Sequence, residues 1–459
     1  MNGDVNETMS SIQLLRDRFC KTYAYAGVPE VCRAPGRVNL IGEHTDYNGL
    51  PVLPMALRQS VRIAFAPKKN RLIQVRNANP RYADATFQNG PDIPPSPPGD
   101  WTNYCKAAVQ GLNVHFGVRS YPGMDLLVDA DLPAAAGLSS SSAMVVASSL
   151  AYLRAIGKTL EKDISRLELA ALLASAEHYV GTRGGGMDQA VIINGKAGYA
   201  CKIDFFPVRT EHVPLLDDHV IVVCDSTVRV EKSGDALHAY NAGPRLSRLA
   251  TALLEQTAKA EFDDGVQLER IGDLYFGPLC LTHLEVTELC ERTFVKPGMI
   301  LQEAATRLQC TTESIRERWI GDLPEPSEGF PLQARVRHLR TEFRRVEEAR
   351  DALQAGDPAA VGALMDESHR SCAGDYFISS PELDVLTQAA RNAGAVGARL
   401  TGAGFGGATV NLVPTTEKDT FIERITASYY RRYLDFNGNV PVFIAEAGDG
   451  AGYLPSSAG

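Results

Sequence analysis

The sequence predicts an α+β protein with more than one domain. Strand-like and helix-like patterns interleave along the 459 residues without a fixed repeat. The length suits two or three domains at ~150 residues each. Residues 243–355 are mostly helical in pattern, and strand-like runs lie on both sides of them. These observations give the class of fold, but periodicity alone does not give the order of the strands.

Elements in the first half of the chain are recognised by alternation, proline content and capping residues. Val61, Ile63 and Phe65 alternate with other residues as a strand requires. Five prolines within residues 90–99 indicate a surface loop. Gly157 is placed to end the helix before it. The predicted elements are helix 16–25, strand 60–66, loop 90–99, strand 125–128, helix 140–156 and helix 165–179.

Apolar runs and helical spacing define the second half. A continuous apolar run predicts a buried strand, and Val336, Leu339 and Phe343 keep helical spacing in a helix that ends before Gly356. A change in residue composition at residues 212–218 predicts a domain boundary. The predicted elements are strand 220–224, the helical region 243–355, and strands 398–400, 408–413 and 442–445. The predicted domains are residues 1–212 and residues 213–459, the second with a helical insert at about 245–355.

Composition excludes several classes of protein. Lys and Arg number 46 against 55 Asp and Glu, so the net charge of −9 argues against a nucleic-acid partner. No run approaches the ~20 apolar residues that span a bilayer, and the acidic start of the chain is unlike a signal peptide. Nine dispersed cysteines are typical of reduced thiols. We therefore expect a cytoplasmic protein without a membrane partner. A monomer is expected as well, although composition does not bear on the oligomeric state.

Five arginines lie between residues 335 and 345, and Glu342, Glu347 and Glu348 are interleaved with them or follow them. A phosphate or an acidic partner is one interpretation of such a run. We favour the other, a solvated helix face on which the two charges alternate.

The first of three glycine-rich segments is a dense polar cluster that follows the apolar residues 38–41 and Gly42. Convergent carboxylates and amides of this kind suit a carbohydrate with several hydroxyl groups. The alternative is a polar turn whose side chains satisfy one another. The cluster contains Glu43, His44, Asp46, Tyr47 and Asn48.

A second segment places four serines, residues 139–142, before an apolar helix. A helix N-terminus offers unpaired N–H groups and the positive end of a dipole, and a neighbouring glycine allows close approach of the backbone. The sequence therefore predicts a phosphate-binding loop. A serine that only caps a core helix is the alternative.

The third segment has Gly402, Gly404 and Gly407 in the order GxGxxG. A dinucleotide-binding motif of this form should open a helix, whereas residues 408–413 look like a strand. We therefore interpret the glycines as a turn between strands. Elsewhere, Asp188 follows three glycines in GTRGGGMDQ, where a carboxylate could take a proton from a substrate hydroxyl or could be an ordinary loop residue.

These segments, in this order, resemble the GHMP kinases, and the similarity is greatest to galactokinases and N-acetylgalactosamine kinases. GRVNLIGEHTDYN at residues 36–48 resembles the galactokinase signature, GLSSSSA the phosphate loop and LTGAGFGG the third glycine motif. The resemblance covers residues 31–413 and implies a two-domain fold with mixed β-sheets and an active site in the cleft between the domains.

The resemblance also implies roles for individual residues, with ATP as co-substrate and Mg²⁺ as cofactor. The implied catalytic residues are Arg37 and Asp188, with Asp188 positioning the anomeric hydroxyl and accepting its proton late. The implied sugar-binding residues are Glu43, His44, Asp46, Gly185, Gly186 and Tyr240. The implied nucleotide-binding residues are Trp101, Gly137, Leu138, Ser139, Ser140, Ser141 and Ser142. The implied Mg²⁺ ligands are Ser141 and Glu177.

The implied reaction is phosphorylation of galactose at its C1 hydroxyl, with N-acetylgalactosamine or another hexose as the alternative substrate. Thr45 and Asn48 match the galactokinase signature. In contrast, GTRGGGMDQ replaces the PCGIMDQ typical of galactokinases and resembles the N-acetylgalactosamine branch, as does the segment at residues 365–386. Gly243 and Pro244 depart from both branches, in which a helix tends to continue with an arginine.

Other classes of function are less well supported by the residues. An NAD-dependent oxidoreductase would depend on the GxGxxG segment alone. A sugar sensor without catalysis would not need both Arg37 and Asp188. A metal hydrolase lacks HExxH or comparable ligand spacing.

Overall fold

The computed structural model describes residues 2–132, 137–181, 184–228 and 235–455, without the side chains of residues 2–9 and 235–241. The strands are β1 Glu30–Ile41, β2 Leu53–Lys68, β3 Leu72–Asn77, β4 Ala85–Gln88, β5 Gly123–Ala130, β6 Tyr199–Asp204, β7 Arg209–Pro214, β8 His219–Asp225, β9 Gly397–Thr401, β10 Ala408–Pro414, β11 Val442–Ala445 and β12 Gly452–Leu454. The helices are α1 Asn2–Tyr23, α2 Asn103–Phe116, α3 Ser140–Ala155, α4 Arg166–Ala176, α5 Met187–Asn194, α6 Asp235–Glu261, α7 Asp273–Phe276, α8 His283–Thr293, α9 Leu301–Arg307, α10 Thr312–Ile315, α11 Leu332–Ala355, α12 Pro358–Gly374, α13 Pro381–Ala393 and α14 Lys418–Ile425. Short 3₁₀ turns lie at Asp46–Asn48, Glu177–Val180 and Thr415–Glu417, and π-helical turns at Arg316–Ile320 and Thr426–Tyr433.

The first sheet has six strands in the order β12-β1-β2-β5-β3-β4, and only β3 and β5 pair in parallel. Ile63 and Phe65 of β2 point toward the core shared with α2, α3 and α5. The intervening Ala64 and Ala66 are small enough for α1 to cover the opposite face. Alternation of large and small residues thus buries both faces of this strand.

The second sheet has the antiparallel order β11-β8-β10-β9, and β6 and β7 form a separate hairpin. Helices α13 and α14 pack on one face of the second sheet. Its other face shares a core with β1 and β2 of the first sheet, in which Leu40 and Met55 lie with Val223 and Val410. This shared core fixes the carboxyl end of β1 against the turn between β9 and β10.

Helices α6 to α11 form a mostly helical region with its own core, to which α11 contributes Val336, Leu339 and Phe343. The C-terminal half of α11 contributes Val346 and Leu353 to the core between the sheets instead. One long helix therefore connects the helical region to the junction of the two sheets.

The predicted α+β class is confirmed, as are most of the predicted elements. Gly157, two residues after the end of α3, and Gly356, directly after α11, both have left-handed backbones (φ +70° and +69°), as their predicted capping roles require. The segment after Gly407 is strand β10, so the rejection of a dinucleotide motif was right. The boundary near residues 212–218 stays a prediction. No helix in the described ranges is long and apolar enough to cross a membrane.

The interpretation of residues 335–345 as a solvated face was wrong for part of the run. Arg335, Glu342 and Arg345 are buried, whereas the side chains of Arg337 and Arg344 are about half exposed. The buried members recur at helical spacing on one face of α11, between its apolar residues.

Candidate active site

The centre of the site is an ion pair between Arg37 and Asp188. Arg37 lies in β1 beside an irregularity in the pairing with β2, and its Nε donates to Asp188 Oδ1 at 2.7 Å. Its Nη1 donates to the carbonyl of Gly137 at 2.7 Å. Burial opposes the charge of Arg37, but the carboxylates of Asp188 and Glu43 outweigh it, and the pKa of the guanidinium is raised. The Arg37 guanidinium is therefore a fixed positive charge between Asp188 and Gly137.

Asp188 lies in the first turn of α5, where the helix dipole favours a negative charge. Its other oxygen, Oδ2, accepts a hydrogen bond from Ser139 Oγ at 2.5 Å and lies 3.5 Å from Ser142 Oγ. The catalytic pair implied by the sequence is thus brought together with the serine segment.

The serine segment forms the N-terminus of α3. Ser139 has a left-handed backbone (φ +57°), and the helix begins at Ser140 with N–H groups that have no partner within the helix. Gly137 is exposed, whereas the side chains of Leu138, Ser139 and Ser142 are buried. The described part of the chain resumes at Gly137, so residues 133–136 of this loop lie outside it.

Glu177 follows α4 and is buried beside the serines. Burial raises the pKa of Glu177 to about 7, and the charge of Asp188 adds to it, while Ser142 and Gln189 act in the opposite direction. Its Oε1 has no hydrogen-bond partner among the described residues. Ser141, the other implied metal ligand, interacts with the hydroxyl of Tyr104 instead.

The polar cluster after β1 lies against the segment before α5. Asp46 Oδ2 accepts a hydrogen bond from the N–H of Gly185 at 3.1 Å. A Cβ atom at Gly185 would lie 2.2 Å from the backbone nitrogen of Tyr47, so only glycine fits there. Gly186, with φ +99°, is the residue immediately before the helix. The close approach of Gly185 to the cluster is therefore observed.

Glu43 and His44 connect the cluster to the third glycine segment. Glu43 Oε1 accepts from the N–H of Gly402 at 2.9 Å and from Arg399 Nη1 at 3.3 Å. His44 Nε2 lies 3.2 Å from the carbonyl oxygen of Ala403, so Nε2 carries the proton and donates. Burial lowers the pKa of His44 to about 3. The ring is therefore neutral, and its Nδ1 accepts from the hydroxyl of Tyr47 at 2.8 Å.

A chain of hydroxyl groups closes the other side of the cluster. Tyr47 Oη lies 2.8 Å from Tyr376 Oη, which lies 3.0 Å from Ser247 Oγ on α6. A Cβ atom at Gly243 would lie 3.2 Å from the Tyr47 hydroxyl, so the unusual glycine leaves room for this contact. Tyr240 is on α6 as well, but its side chain lies outside the described part of the chain.

Trp101 lies just before α2 and is half-buried. Its Nε1 donates to the carbonyl of Ala83 at 3.0 Å, and the ring of Tyr82 meets it edge-on at 5.7 Å between centroids. Tyr104, three residues further, is the residue that contacts Ser141. Trp101 therefore lies beside the terminus of α2 that approaches the serine segment.

Three side chains at the site were not predicted from the sequence. Arg399 is fully buried, Tyr376 follows α12, and His338 lies on α11. Each contacts the polar cluster across some 300 residues or more of chain. The helical spacing of residues 335, 338 and 342 was the one available signal, because a polar stripe in phase with apolar residues indicates buried partners.

Three family models match the chain. The model for the "Galactokinase galactose-binding signature" matches residues 17–67, the one for "GHMP kinases N terminal domain" residues 103–196, and the one for "GHMP kinases C terminal" residues 349–431. Thus the matched regions include both the polar cluster and the serine segment.

Similar proteins cover nearly the whole chain. A galactokinase of Dictyostelium discoideum is 34% identical over 92% of this chain and 88% of its own length, and one of Roseiflexus sp. is 34% identical over 97% of each. The solved structure of Lactococcus lactis galactokinase complexed with galactose has a TM-score of 0.76 and 25% identity over 97% of this chain and 100% of that one. Mevalonate kinase of Methanococcus jannaschii, at 16% identity and a TM-score of 0.57 over 93% of this chain and 100% of its own, shares the fold.

Proposed function

Because this chain belongs to the galactokinase family of GHMP kinases, we propose that it transfers the γ-phosphoryl group of ATP to the C1 hydroxyl of galactose. The products are galactose 1-phosphate and ADP. The observation that carries the proposal is the constellation of Arg37, Asp188 and Ser139, which lies between the polar cluster and the N-terminus of α3.

The proposed role of Arg37 is to stabilise the charge of the transferring phosphoryl group. Phosphoryl transfer needs little covalent help and depends on alignment and on neutralisation of charge. The guanidinium is held by two hydrogen bonds, to Asp188 and to Gly137, so it needs no reorganisation as the charge moves.

Asp188 is proposed to orient the C1 hydroxyl and to accept its proton late in the transfer. Its two carboxylate oxygens already accept from Arg37 and Ser139, so the side chain is held in one position, which favours positioning over strong base catalysis. A carboxylate oxygen has more than one acceptor position, so the substrate hydroxyl can be added to these contacts.

The nucleotide is proposed to bind with its phosphates at residues 137–142 and its adenine beside Trp101. The N–H groups at the start of α3 and the positive end of its dipole suit phosphate oxygens. Trp101 is half-buried just before α2, three residues from Tyr104, which contacts Ser141, and part of its ring is available to a base.

The side chains fit a Mg²⁺ ion beside the phosphates. Glu177 has a buried oxygen without a partner among the described residues, and Ser142 offers a hydroxyl next to it. No group of three His, Cys, Asp or Glu side chains in the described ranges forms a complete metal centre. Mg²⁺ commonly takes one or two protein oxygens and completes its shell with phosphates and water. The ion would neutralise phosphate charge. Ser141 is proposed as a second serine ligand of the ion, once its hydroxyl is released from Tyr104.

The sugar is proposed to bind at the polar cluster, with Asp46 and His44 facing its hydroxyl groups and Glu43 fixing the cluster. Gly185 and Gly186 form the wall behind it. Tyr240 is proposed to complete the pocket from α6. The neutral His44 can serve as a donor or an acceptor once a sugar replaces one of its present partners.

N-acetylgalactosamine is the less favoured substrate. The curated relatives are galactokinases, and the family model that covers the polar cluster is the galactose-binding signature.

Nine free cysteines are in line with a cytoplasmic enzyme, which we expect to act as a monomer.

A sugar panel tests the proposal. Purified protein with ATP and Mg²⁺ is assayed for ADP release with galactose, N-acetylgalactosamine, glucose and no sugar. We expect release that depends on galactose and is at least about tenfold lower in kcat/KM with N-acetylgalactosamine. Sugar binding without ADP release would support a sensor, and preference for N-acetylgalactosamine would reassign the substrate.

A further inference from the structure

Helix α11 presents a stripe of buried polar side chains to the polar cluster. Arg335, His338, Glu342 and Arg345 recur at intervals of three or four residues and are all at most 6% exposed. Residues at these intervals lie on one face of a helix. Buried polar and charged groups are costly unless they are paired, so their partners indicate what the stripe does.

Glu342 holds Gly42, the residue immediately before the cluster. Its Oε1 accepts from the backbone N–H of Gly42 at 2.9 Å and from Ser368 Oγ at 2.5 Å, while Oε2 accepts from Arg345 Nε at 2.8 Å. Gly42 has φ +101°, and a Cβ atom there would lie 2.9 Å from Val52 Cα. The backbone thus takes a sharp turn that a buried, charge-assisted hydrogen bond stabilises.

His338, one turn earlier, holds the next residue. Its Nε2 lies 3.0 Å from the carbonyl oxygen of Glu43. Because a carbonyl only accepts, Nε2 must carry a proton and donate. The other ring nitrogen, Nδ1, lies 3.0 Å from Ser371 Oγ. The ring therefore bridges the cluster and helix α12.

The same helix also supports Tyr47, through Tyr376. The ring of His338 packs against that of Tyr376 with centroids 4.6 Å apart, and the Arg335 guanidinium lies 4.9 Å from the centroid of the same ring. Tyr376 Oη in turn contacts Tyr47 Oη. Gly42, directly before the cluster, and Glu43 and Tyr47 within it are thus held from one helix face.

From these contacts we infer that His338 and Glu342 are positioning residues for sugar binding. They touch the backbone that carries Glu43, His44 and Asp46, and the described contacts link neither of them to the serine segment or to Asp188. The inference depends on the proposed function, since it takes the cluster as the sugar site. Their loss should therefore weaken galactose binding and leave ATP binding nearly unchanged.

Two amide substitutions separate the two nitrogens of His338. In His338→Gln, the longer amide can donate from near the position of Nε2, whereas in His338→Asn it reaches only near Nδ1. We expect His338→Asn to raise the KM for galactose about tenfold, the loss of one buried hydrogen bond, and to leave the KM for ATP within about twofold. His338→Gln should recover most of the galactose affinity. Calorimetric titration with galactose gives the same comparison without turnover.

Arg344→Ala is the matched control, because Arg344 is on the same helix, is half exposed and pairs with Glu348 on that helix. It should match the wild type in both KM values. Equal increases in both KM values for His338→Asn, or no recovery in a folded His338→Gln, would overturn the inference. If His338→Asn does not fold, Glu342→Gln gives the second test, with the same expected split between the two substrates. A wild-type protein that is inactive with every sugar in the panel would instead refute the proposed function.

Discussion

Three side chains approach the carboxylate of Asp188, one of the two residues implied in catalysis. Arg37 pairs with one of its oxygens, and Ser139 and Ser142 approach the other. The four residues come from β1, the start of α3 and the start of α5. A carboxylate that is placed in this way serves as a fixed acceptor whose position is set by three separate elements.

Replacement of Asp188 tests this role. Asp188→Asn keeps the shape of the side chain but removes its charge and its capacity to take a proton. We expect kcat to fall by at least about 100-fold, with the KM for galactose changed by less than about threefold, in steady-state assays. Asp125→Asn is the control, since Asp125 forms an ion pair of the same length with Lys68 in the first sheet. Retention of most of the turnover in Asp188→Asn would refute the assignment.

Gly185 gives a second prediction at the scale of one residue. In Gly185→Ala the new methyl group would lie 2.2 Å from the nitrogen of Tyr47 and 2.4 Å from the carbonyl carbon of Asp46. The cluster must move, so we expect the KM for galactose to rise by about tenfold or more, as measured by steady-state kinetics. Gly184→Ala is a matched control, because a Cβ atom at Gly184 has no atom within 4 Å. Equal effects of the two substitutions would contradict the close contact.

The sequence predicted which residues meet at the site better than it predicted how each is oriented. Arg37, Asp188, Asp46 and Gly185 do come together. For the serines, successive residues of a helix point about 100° apart, so an uncertain helix start cannot show which hydroxyl faces Asp188. Arg399 was missed because its partner Glu43 lies 356 residues away, and no local pattern carries that information.

At the scale of elements, helix α11 has apolar residues that pack in two cores and polar residues that hydrogen-bond to the backbone after β1. Its apolar residues belong to the helical core and, further along, to the core between the sheets. Its buried polar residues bind the backbone after β1. The ion pair between Glu342 and Arg345 is fully removed from solvent, so it should affect how stability depends on pH.

Glu342 predicts a loss of stability in acid. Burial opposes its charge, but Arg345, His338 and Arg399 outweigh burial and lower the pKa of Glu342 from 4.5 to about 2. A carboxyl whose pKa is lowered by folding contributes stability above its ordinary pKa and loses it as the pH falls toward the folded value. Between pH 6 and 3 the excess stability of the wild type over Glu342→Gln should narrow by on the order of 2 kcal/mol.

Urea unfolding at several pH values measures this change. Glu348→Gln serves as the control, because Glu348 is about half exposed and its pair with Arg344 lies at the surface. Its difference from the wild type should be small at every pH. A gap between wild type and Glu342→Gln that is independent of pH would show that Glu342 is not ionised in the folded protein.

Elements with strong local sequence patterns were predictable, whereas very short strands were not. Helices α3 and α11 carry long apolar patterns and glycine caps. In contrast, β4 has four residues and β12 has three, and both depend on strands that are already in place. Helix α1 runs from Asn2 to Tyr23, whereas the sequence predicted a helix only at residues 16–25, so residues 2–15 of α1 were not recognised.

At the scale of the molecule, the two sheets share one core, and the site lies where their ends meet. Strand β1 brings Arg37 and the polar cluster, α3 and α5 bring the serines and Asp188, and the turn between β9 and β10 holds Glu43. Strand β12 pairs with β1, so the chain returns to the first sheet near its end. Because sequence patterns do not give strand order, this convergence could be inferred only from the resemblance to a known family.

The position of the phosphate in the product tests the central claim most directly. The protein is incubated with ATP, Mg²⁺ and galactose, and the product is examined by ³¹P and ¹H NMR spectroscopy. The proposed reaction, in which Asp188 beside Arg37 orients the C1 hydroxyl, predicts a phosphate on C1, seen as phosphorus coupling to the anomeric proton. A phosphate on any other carbon, or no phosphorylated sugar from galactose, would contradict it.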